Sequence, residues 1–256
     1  MFNSIYDHTP ATYHALRHCW LETRRFDYIC QYLESLTDFE PNSRKHIVEI
    51  GCGTGRQLIG LARTYPHLEF IGIEPNPAYR DFAVNLIHNE GLTNSTVLCA
   101  KAEDFTLNPI QSSSAAVLLS NDVLHHVARW DLLFENLQKL TSQQTHWLAI
   151  EPNPLNIYSA LRQTMGPGEK IFRKWNFCRL ARTFGWQISS VKHLFLWPPW
   201  MKSPPSAKLR YIERALERIP FIGGGVAIHL VRRQVEKKPT SDLIMVTPSH
   251  VSKEIP

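Results

Sequence analysis

The sequence has no uninterrupted apolar run approaching the roughly 18 residues that a membrane-crossing helix needs. Its opening residues, Met1-Phe2-Asn3-Ser4-Ile5-Tyr6-Asp7-His8, combine no basic stretch with an apolar one, so no signal peptide is expected. Cysteine is sparse. Cys19, Cys30, Cys52, Cys99 and Cys178 are scattered, odd in number and never in Cys-x-x-Cys spacing. That pattern argues against a disulfide framework or a zinc site and points to reduced thiols in a cytoplasmic protein. Internal repeats and low-complexity segments are also missing. The net charge is +5 and the isoelectric point near 9.0, yet the basic pairs Arg24-Arg25, Arg44-Lys45, Arg173-Lys174, Arg232-Arg233 and Lys237-Lys238 are dispersed. A nucleic-acid backbone asks for a continuous basic track, so nucleic acid is not the expected partner. An acidic substrate or contact with an anionic membrane surface stays open.

What is present suits one large domain with a small appendage: 256 residues, 43% of them hydrophobic and 20% charged. Residues 10–36 read as helix, broken once, with Leu16, Trp20, Ile29, Leu33 and Leu36 at helical spacing and Arg24, Arg25 and Glu34 between them. Two readings stand for its Tyr13, His14, His18 and Trp20. They pack this helix onto the main domain, or they form a lid over a pocket. The segment 37–45 reads as a loop, and Ile47–Ile50 as the first strand. Helix over 56–65, strand over 68–73, helix over 77–88, strands over 96–100 and 115–119, helix over 130–140 and strand over 146–150 then alternate. Such alternation predicts an α/β fold: a mostly parallel sheet covered by helices on both faces.

After Glu151 the rhythm changes, because Pro152-Asn153-Pro154 is not expected to continue a central strand. A short helix and loop over 155–170, a helix over 172–184, a strand from Trp186 to about Leu196, a helix over 207–218 and a last strand over 226–231 complete the ordered part. The expected organisation is a helical cap over 1–40, a main domain over 41–236 with substrate-side insertions at about 152–175 and 197–222, and a flexible tail over 237–256.

The densest stretch is His46-Ile47-Val48-Glu49-Ile50-Gly51-Cys52-Gly53-Thr54-Gly55, an apolar strand running into a glycine-rich turn with a helix beyond. In an open parallel sheet ligands bind past the carboxyl ends of the strands, and glycines let the backbone turn sharply and approach a ligand closely. A dinucleotide fingerprint would place two more residues before its third glycine. Here the third glycine follows Thr54 at once, and Glu49 lies two residues before Gly51. A carboxylate there would be poor beside a pyrophosphate. Glu74 ends the second strand, 19 residues after Gly55, where a carboxylate can accept both hydroxyl protons of a ribose.

Glu49-Ile50-Gly51-Cys52-Gly53-Thr54-Gly55 resembles the first motif of class I S-adenosylmethionine-dependent methyltransferases, and the likeness runs from about His46 to Arg233. It implies a Rossmann-like fold with a seven-stranded sheet and S-adenosylmethionine as cofactor. By that resemblance Glu49 orients the methionine portion, the backbone of Gly51, Cys52, Gly53, Thr54 and Gly55 lies against the cofactor, Glu74 holds the ribose, and Pro75 and Asn76 flank the adenosine. Lys101 stands where the family often has the aspartate that bonds adenine, which leaves that contact to the backbone of Ala102 and Glu103. Ser120 and Asn121 should sit beside the methionine portion. Leu124-His125-His126-Val127 resembles a spelling common in the small-molecule and lipid branches.

His125 and His126 are the candidate proton acceptors, at most one of them facing substrate, against the alternative that both only pack and cap. Glu151 is the third catalytic candidate, with loop capping as its alternative. No metal is expected, since no third ligand lies at an interpretable spacing. Tyr158, Phe172, Trp175, Trp197, Trp200 and Met201 give the second half an aromatic bias suited to an apolar or ring-bearing acceptor, although a core made by the added helices accounts for such residues as well. The Asp/Asn-Pro-Pro-aromatic tetrapeptide of nucleic-acid methylases is absent; Trp197-Pro198-Pro199-Trp200 lacks the amide. The expected activity is O-, N- or C-methylation of a small-molecule or lipid-like metabolite. An RNA or protein methyltransferase and a non-catalytic cofactor-binding scaffold are the alternatives.

Overall fold

The computed structural model describes residues 8–36, 46–105, 115–165, 170–197, 200–217 and 219–233. The expectations for the loop at 37–45, for residues 166–169 of the loop over 155–170, for Pro198-Pro199 and for the tail lie outside these residues. Among the described residues no helix is long and apolar enough to cross a membrane, no His/Cys/Asp/Glu group could hold a metal ion, and the five cysteines are free.

The single break foreseen in the N-terminal helix falls between α1 (Pro10–Leu16) and α2 (Trp20–Glu34). α1 starts where Thr9 Oγ1 accepts from the Thr12 amide, with proline in the first turn, where no intrahelical N–H is needed. The break itself is used: the Trp20 amide donates to the Met201 carbonyl at 2.7 Å, tying the start of α2 to the far half of the chain.

Then follow β1 (His46–Ile50), α3 (Arg56–Thr64), β2 (Glu69–Glu74), α4 (Pro77–Asn89), β3 (Ser95–Cys99), β4 (Ala115–Asn121), α5 (Trp130–Leu140) and β5 (Thr141–Pro152). The chain closes with α6 (Ile157–Met165), α7 (Lys174–Thr183), β6 (Trp186–Leu194), α8 (Ala207–Leu216) and β7 (Gly225–Arg232). The seven strands form one sheet in the order β3-β2-β1-β4-β5-β7-β6, parallel except for β7, which is antiparallel to both neighbours. Contrary to the proline-based expectation, β5 reaches Pro152. That residue is the last in the strand and pairs with Gly225, the first of β7, so the missing N–H falls at the end of the ladder.

Period-two alternation divides the core. Ile47, Val117, Leu119, Leu148 and Ile150 face α2, α3 and α4, whereas Val48, Ile50, Leu118, Trp147 and Ala149 face α5 and α7. Strand order reverses between β1 and β4, which opens a crevice at their carboxyl ends. The glycine turn sits there. Gly51 and Cys52 both donate to the Ile73 carbonyl, at 2.8 and 3.1 Å, and Gly51 has φ +70°. A Cβ on Gly51 would lie 2.3 Å from Val123 Cγ2, so the turn and the segment after β4 touch backbone to side chain.

Gly51→Ala therefore combines a left-handed backbone with an overlap and should lower stability by about 2–4 kcal/mol. Gly91→Ala meets the same backbone demand (φ +65°) with nothing within 4 Å, and should cost about 1 kcal/mol. Urea denaturation of the two variants checks the difference; equal losses would contradict it.

Candidate active site

The carboxylates at the strand ends set the electrostatics of the crevice. Glu74 is buried and accepts two amides: Gly53 N on Oε2 and Asn76 N on Oε1, each at 2.9 Å. Burial pushes its carboxyl above the usual range, although the two amides oppose the shift. Glu74 thereby fixes the glycine turn relative to β2 and α4. Asn76 caps α4 through its side chain, which accepts from Ala78 N at 3.0 Å, and Pro75 is exposed beside it.

Glu49 is 3% exposed, and its Oε2 has no hydrogen-bond partner among the described residues. Burial, reinforced by the nearby Glu22 carboxylate, pushes it up to about 8. Asn121 Oδ1 is a second buried acceptor without a partner among the described residues. Glu49 pairs with Leu119 across β1 and β4, so alternation carries Asn121 to the same face of the sheet. Ser120, its neighbour, must then face the other way, and it does: its Oγ accepts from Trp147 Nε1 at 3.1 Å within the opposite core layer. Expecting both side chains in the crevice conflicted with the strand period.

α1 lies on the glycine turn. His14 Nδ1 is 3.0 Å from Thr54 Oγ1, and Tyr13 is buried against the Tyr79 ring (centroids 4.9 Å), 3.6 Å from the place a Gly53 Cβ would occupy. Tyr13 and His14 thus pack α1 onto the glycine turn, and Tyr13 also lines the cavity beneath α1. His18 packs on His14, and Trp20 contributes its backbone bond. Burial, helped by the charges of His18 and Arg56, lowers the His14 pKa and keeps the ring neutral at physiological pH.

α1 is held by a buried charge cluster that sequence reading missed. Glu22 accepts from Arg17 Nη1 at 2.5 Å, Arg25 Nη1 at 2.8 Å and Gln57 Nε2 at 3.0 Å, and Arg25 also pairs with Asp122 at 2.7 Å. Burial alone would raise the Glu22 pKa, but the two guanidiniums outweigh it and the net shift is downward. Arg25 was expected between apolar positions, on the outer side; it is 4% exposed. The available signal was the acid–base spacing of Glu22 and Arg25, three apart on one helix, together with a charged residue directly after Asn121.

Beneath α1 a cavity of about 340 Å³ opens. Arg17, Arg25 and Asp122 line it with His125 and His126, and Tyr158, Phe195, Trp197 and Trp200 make its aromatic wall. Both histidines reach it, where at most one was expected. Phe172 instead lies in the core, and Trp175 is on the surface at 74% exposure. Glu151, the third catalytic candidate, is fully buried. Its Oε1 accepts Val123 N and Leu124 N, at 3.0 and 2.7 Å, and its Oε2 is 2.6 Å from His125 Nδ1. The loop-capping alternative and the histidine contact are therefore both present in one residue. On the opposite wing, Ala102 is in the core, Glu103 Oε1 accepts from Ala128 N at 3.0 Å, and the Glu103 carbonyl accepts from Asn136 Nδ2. The Glu103 carbonyl, one part of the backbone foreseen beside adenine, thus already has one donor. Cys52 is buried, with its thiol pushed well up by burial.

The raised Glu49 carboxyl has a stability consequence. Its folded pKa lies above the roughly 4.3 of an unfolded glutamate, so its contribution is full below about pH 4 and is lost as pH rises toward 8. The slope is about 1.4 kcal/mol per pH unit across that window. Glu49→Gln should therefore gain in stability over the natural chain as pH goes from 5 to 8. Urea midpoints at pH 5, 6.5 and 8 check this, and parallel curves would contradict it.

Comparison with known proteins places this geometry in a family. Residues 41–192 match the family model described as a methyltransferase domain. A tRNA (guanine-N(7)-)-methyltransferase of Vibrio parahaemolyticus is 29% identical over 110 residues, 43% of this chain and 45% of that protein. Its counterpart in Oceanobacillus iheyensis is 41% identical over 66 residues, 26% of this chain and 30% of that protein. The chain thus matches less than half the length of these curated relatives. Among solved structures, geranyl diphosphate C-methyltransferase from Streptomyces coelicolor A3(2) aligns with TM-score 0.60 at 14% identity, covering 83% of this chain and 79% of that one. A methyltransferase from Archaeoglobus fulgidus aligns with TM-score 0.58 at 17% identity, covering 82% and 94%. Glycine turn, sheet order and family match agree: the chain belongs to the methyltransferase-domain family and has the class I S-adenosylmethionine-dependent methyltransferase fold.

Proposed function

We propose that this protein transfers the methyl group of S-adenosylmethionine to a small-molecule or lipid-like acceptor held in the cavity under α1. The observation that carries the cofactor half is the pair of partnerless buried acceptors, Glu49 Oε2 and Asn121 Oδ1, on one face of the sheet beside the glycine turn. A buried acceptor without a donor is costly, and an ammonium offers three donors and the charge that a carboxylate raised to about 8 calls for. Glu74 suits a ribose: each oxygen spends one lone pair on an amide and retains another for a hydroxyl. The cofactor, when bound, supplies an activated methyl on a sulfonium.

The chain's own residues hold the acceptor, exclude water and receive a proton. The aromatic wall and the small cavity favour an apolar or ring-bearing acceptor. Arg25 and Arg17 draw Asp122 to the cavity lining, where it contributes a fixed polar group. Glu151 accepts Nδ1–H of His125, which makes Nε2 the proton-accepting atom of the neutral ring. In this reading His125 is the general base for an acceptor that loses a proton on attack, and Glu151 is a positioning residue. His126, its ring 4.0 Å from that of His125, is the second candidate.

The named relatives favour a second reading, methylation of RNA. The aromatic wall and the modest volume of the cavity support the small-molecule reading over it. A cofactor-binding scaffold without activity is disfavoured by the buried carboxylate–histidine pair at the cavity.

Calorimetry with S-adenosylmethionine and its demethylated product should give binding of both, weakened by roughly 1–3 kcal/mol in Glu74→Ala. Lack of binding to either would overturn the cofactor assignment. In turnover assays over a panel of lipid-like and aromatic acceptors, His125→Ala should lower kcat by about 10²-fold with KM little changed. Glu151→Gln should lower it less and move the acidic limb of the pH–rate profile. Transfer to transcripts of tRNA but to none of the panel would select the RNA reading.

A further inference from the structure

α8 is mostly exposed and packs inward through acids. Its acid Glu213 and the following Glu217 are buried, at 1% and 8% exposure, and both pair with Arg24 of α2. Its apolar Tyr211 is 78% exposed, and Leu209 and Ile212 are also outside. Tyr211 shares its side of the helix with the exposed Lys208 and Arg214, three residues away in each direction.

Large apolar side chains are also exposed at the cavity mouth. Trp200 and Tyr158 line the cavity, are themselves 67% and 42% exposed, and pack edge to face at 5.5 Å. Next to Tyr158, Ile157 is 77% exposed, and Leu161 follows one turn on. Phe221, 64% exposed, sits on the turn after α8, whose carbonyls at 221 and 222 accept from Asn156 Nδ2 at the start of α6. The charge of this face has one sign. Lys202, Lys208, Arg210 and Arg214 are exposed, and the only acids among the described residues of 155–165, 200–217 and 219–225 are the two buried glutamates.

We infer that this face, made by α6, the Trp200 segment, α8 and the 219–222 turn, docks on an anionic lipid surface and opens the acceptor cavity toward the lipid. Aliphatic and aromatic side chains that enter the acyl boundary, with tryptophan and tyrosine at its polar edge and cations over the headgroups, are the features that hold a protein on such a surface. The exposed Ile157, Leu161 and Ile212 offer nothing to a phosphodiester backbone, which distinguishes the lipid from RNA as the occupant. Docking supplies a purpose for the apolar cavity only if the acceptor reading above is right, but lipid binding itself is independent of turnover.

Co-sedimentation with phosphatidylcholine vesicles, with and without phosphatidylglycerol, tests the surface on the full chain. Binding is expected to the anionic vesicles, at least tenfold stronger than to phosphatidylcholine alone and weakened by high salt. The triple variant Ile157→Ser/Tyr211→Ser/Phe221→Ser changes only exposed positions outside the cavity lining, and should lose binding tenfold or more with an unchanged thermal melt. Lys208→Glu/Arg210→Glu should lose it at low salt. Absence of binding to anionic vesicles, or full binding by the triple variant, overturns the inference. So does self-association or transcript binding that the triple variant removes while vesicles are ignored. Calorimetry of the demethylated cofactor on the same samples keeps the two readings apart: its failure sinks the cofactor assignment and leaves docking standing, and the reverse pattern sinks docking alone.

Discussion

Glu22 is the residue on which the site's architecture depends. Its buried carboxylate binds Arg17 and Arg25 of the N-terminal helical segment and Gln57 of α3, while Arg25 continues the chain of charges to Asp122 at the end of β4. A carboxylate and two guanidiniums are expensive to bury, and the arrangement is tolerable only because the members compensate one another; losing one typically costs 3–5 kcal/mol at a buried pair. The cluster does what apolar packing alone does poorly. It fixes α1 at one angle over the glycine turn, so that Tyr13 and His14 land on Gly53 and Thr54. Asp122 in turn adopts φ +53°, a conformation a non-glycine residue takes only when its surroundings hold it there.

Two compartments result from that geometry. On the donor side, buried carboxylates and an amide oxygen face a glycine turn whose backbone has no side chain in the way. On the acceptor side lies an aromatic cavity with two histidines, one of them backed by Glu151. The segment between Asn121 and His126 belongs to both. Val123 packs against Gly51, and the amides of Val123 and Leu124 are held by the same Glu151 that holds His125. A single carboxylate thereby sets the distance between the turn that would carry the methyl donor and the base that would serve the acceptor.

Much of this was legible in the sequence. Strand and helix alternation gave the sheet, and the glycine turn with Glu49 and Glu74 gave the switch-point crevice, because these depend on local periodicity and on residue types with narrow uses. Other features depended on information that spacing does not carry. Ser120 and Asn121 both looked like crevice residues until the strand's alternation separated them. Arg25 looked like a surface cation because nothing in α2 reveals that Asp122, distant in sequence, waits beside it. Glu151, at a strand end, left catalysis and loop capping open, and only the fold surrounds it with two backbone amides and a histidine. The burial of two acids at α8 was also invisible locally: Glu213 and Glu217 go inside because Arg24 of α2 is there. In each case the deciding partner came from a distant part of the chain.

Glu49, a buried carboxyl pushed up to about 8 by burial, should become a carboxylate when a cation arrives. Titration calorimetry of S-adenosylmethionine at pH 7 in buffers of different ionisation enthalpy measures this directly. The account predicts release of close to one proton on binding, abolished in Glu49→Gln. Binding whose enthalpy does not depend on the buffer, or proton release that survives in Glu49→Gln, would contradict it.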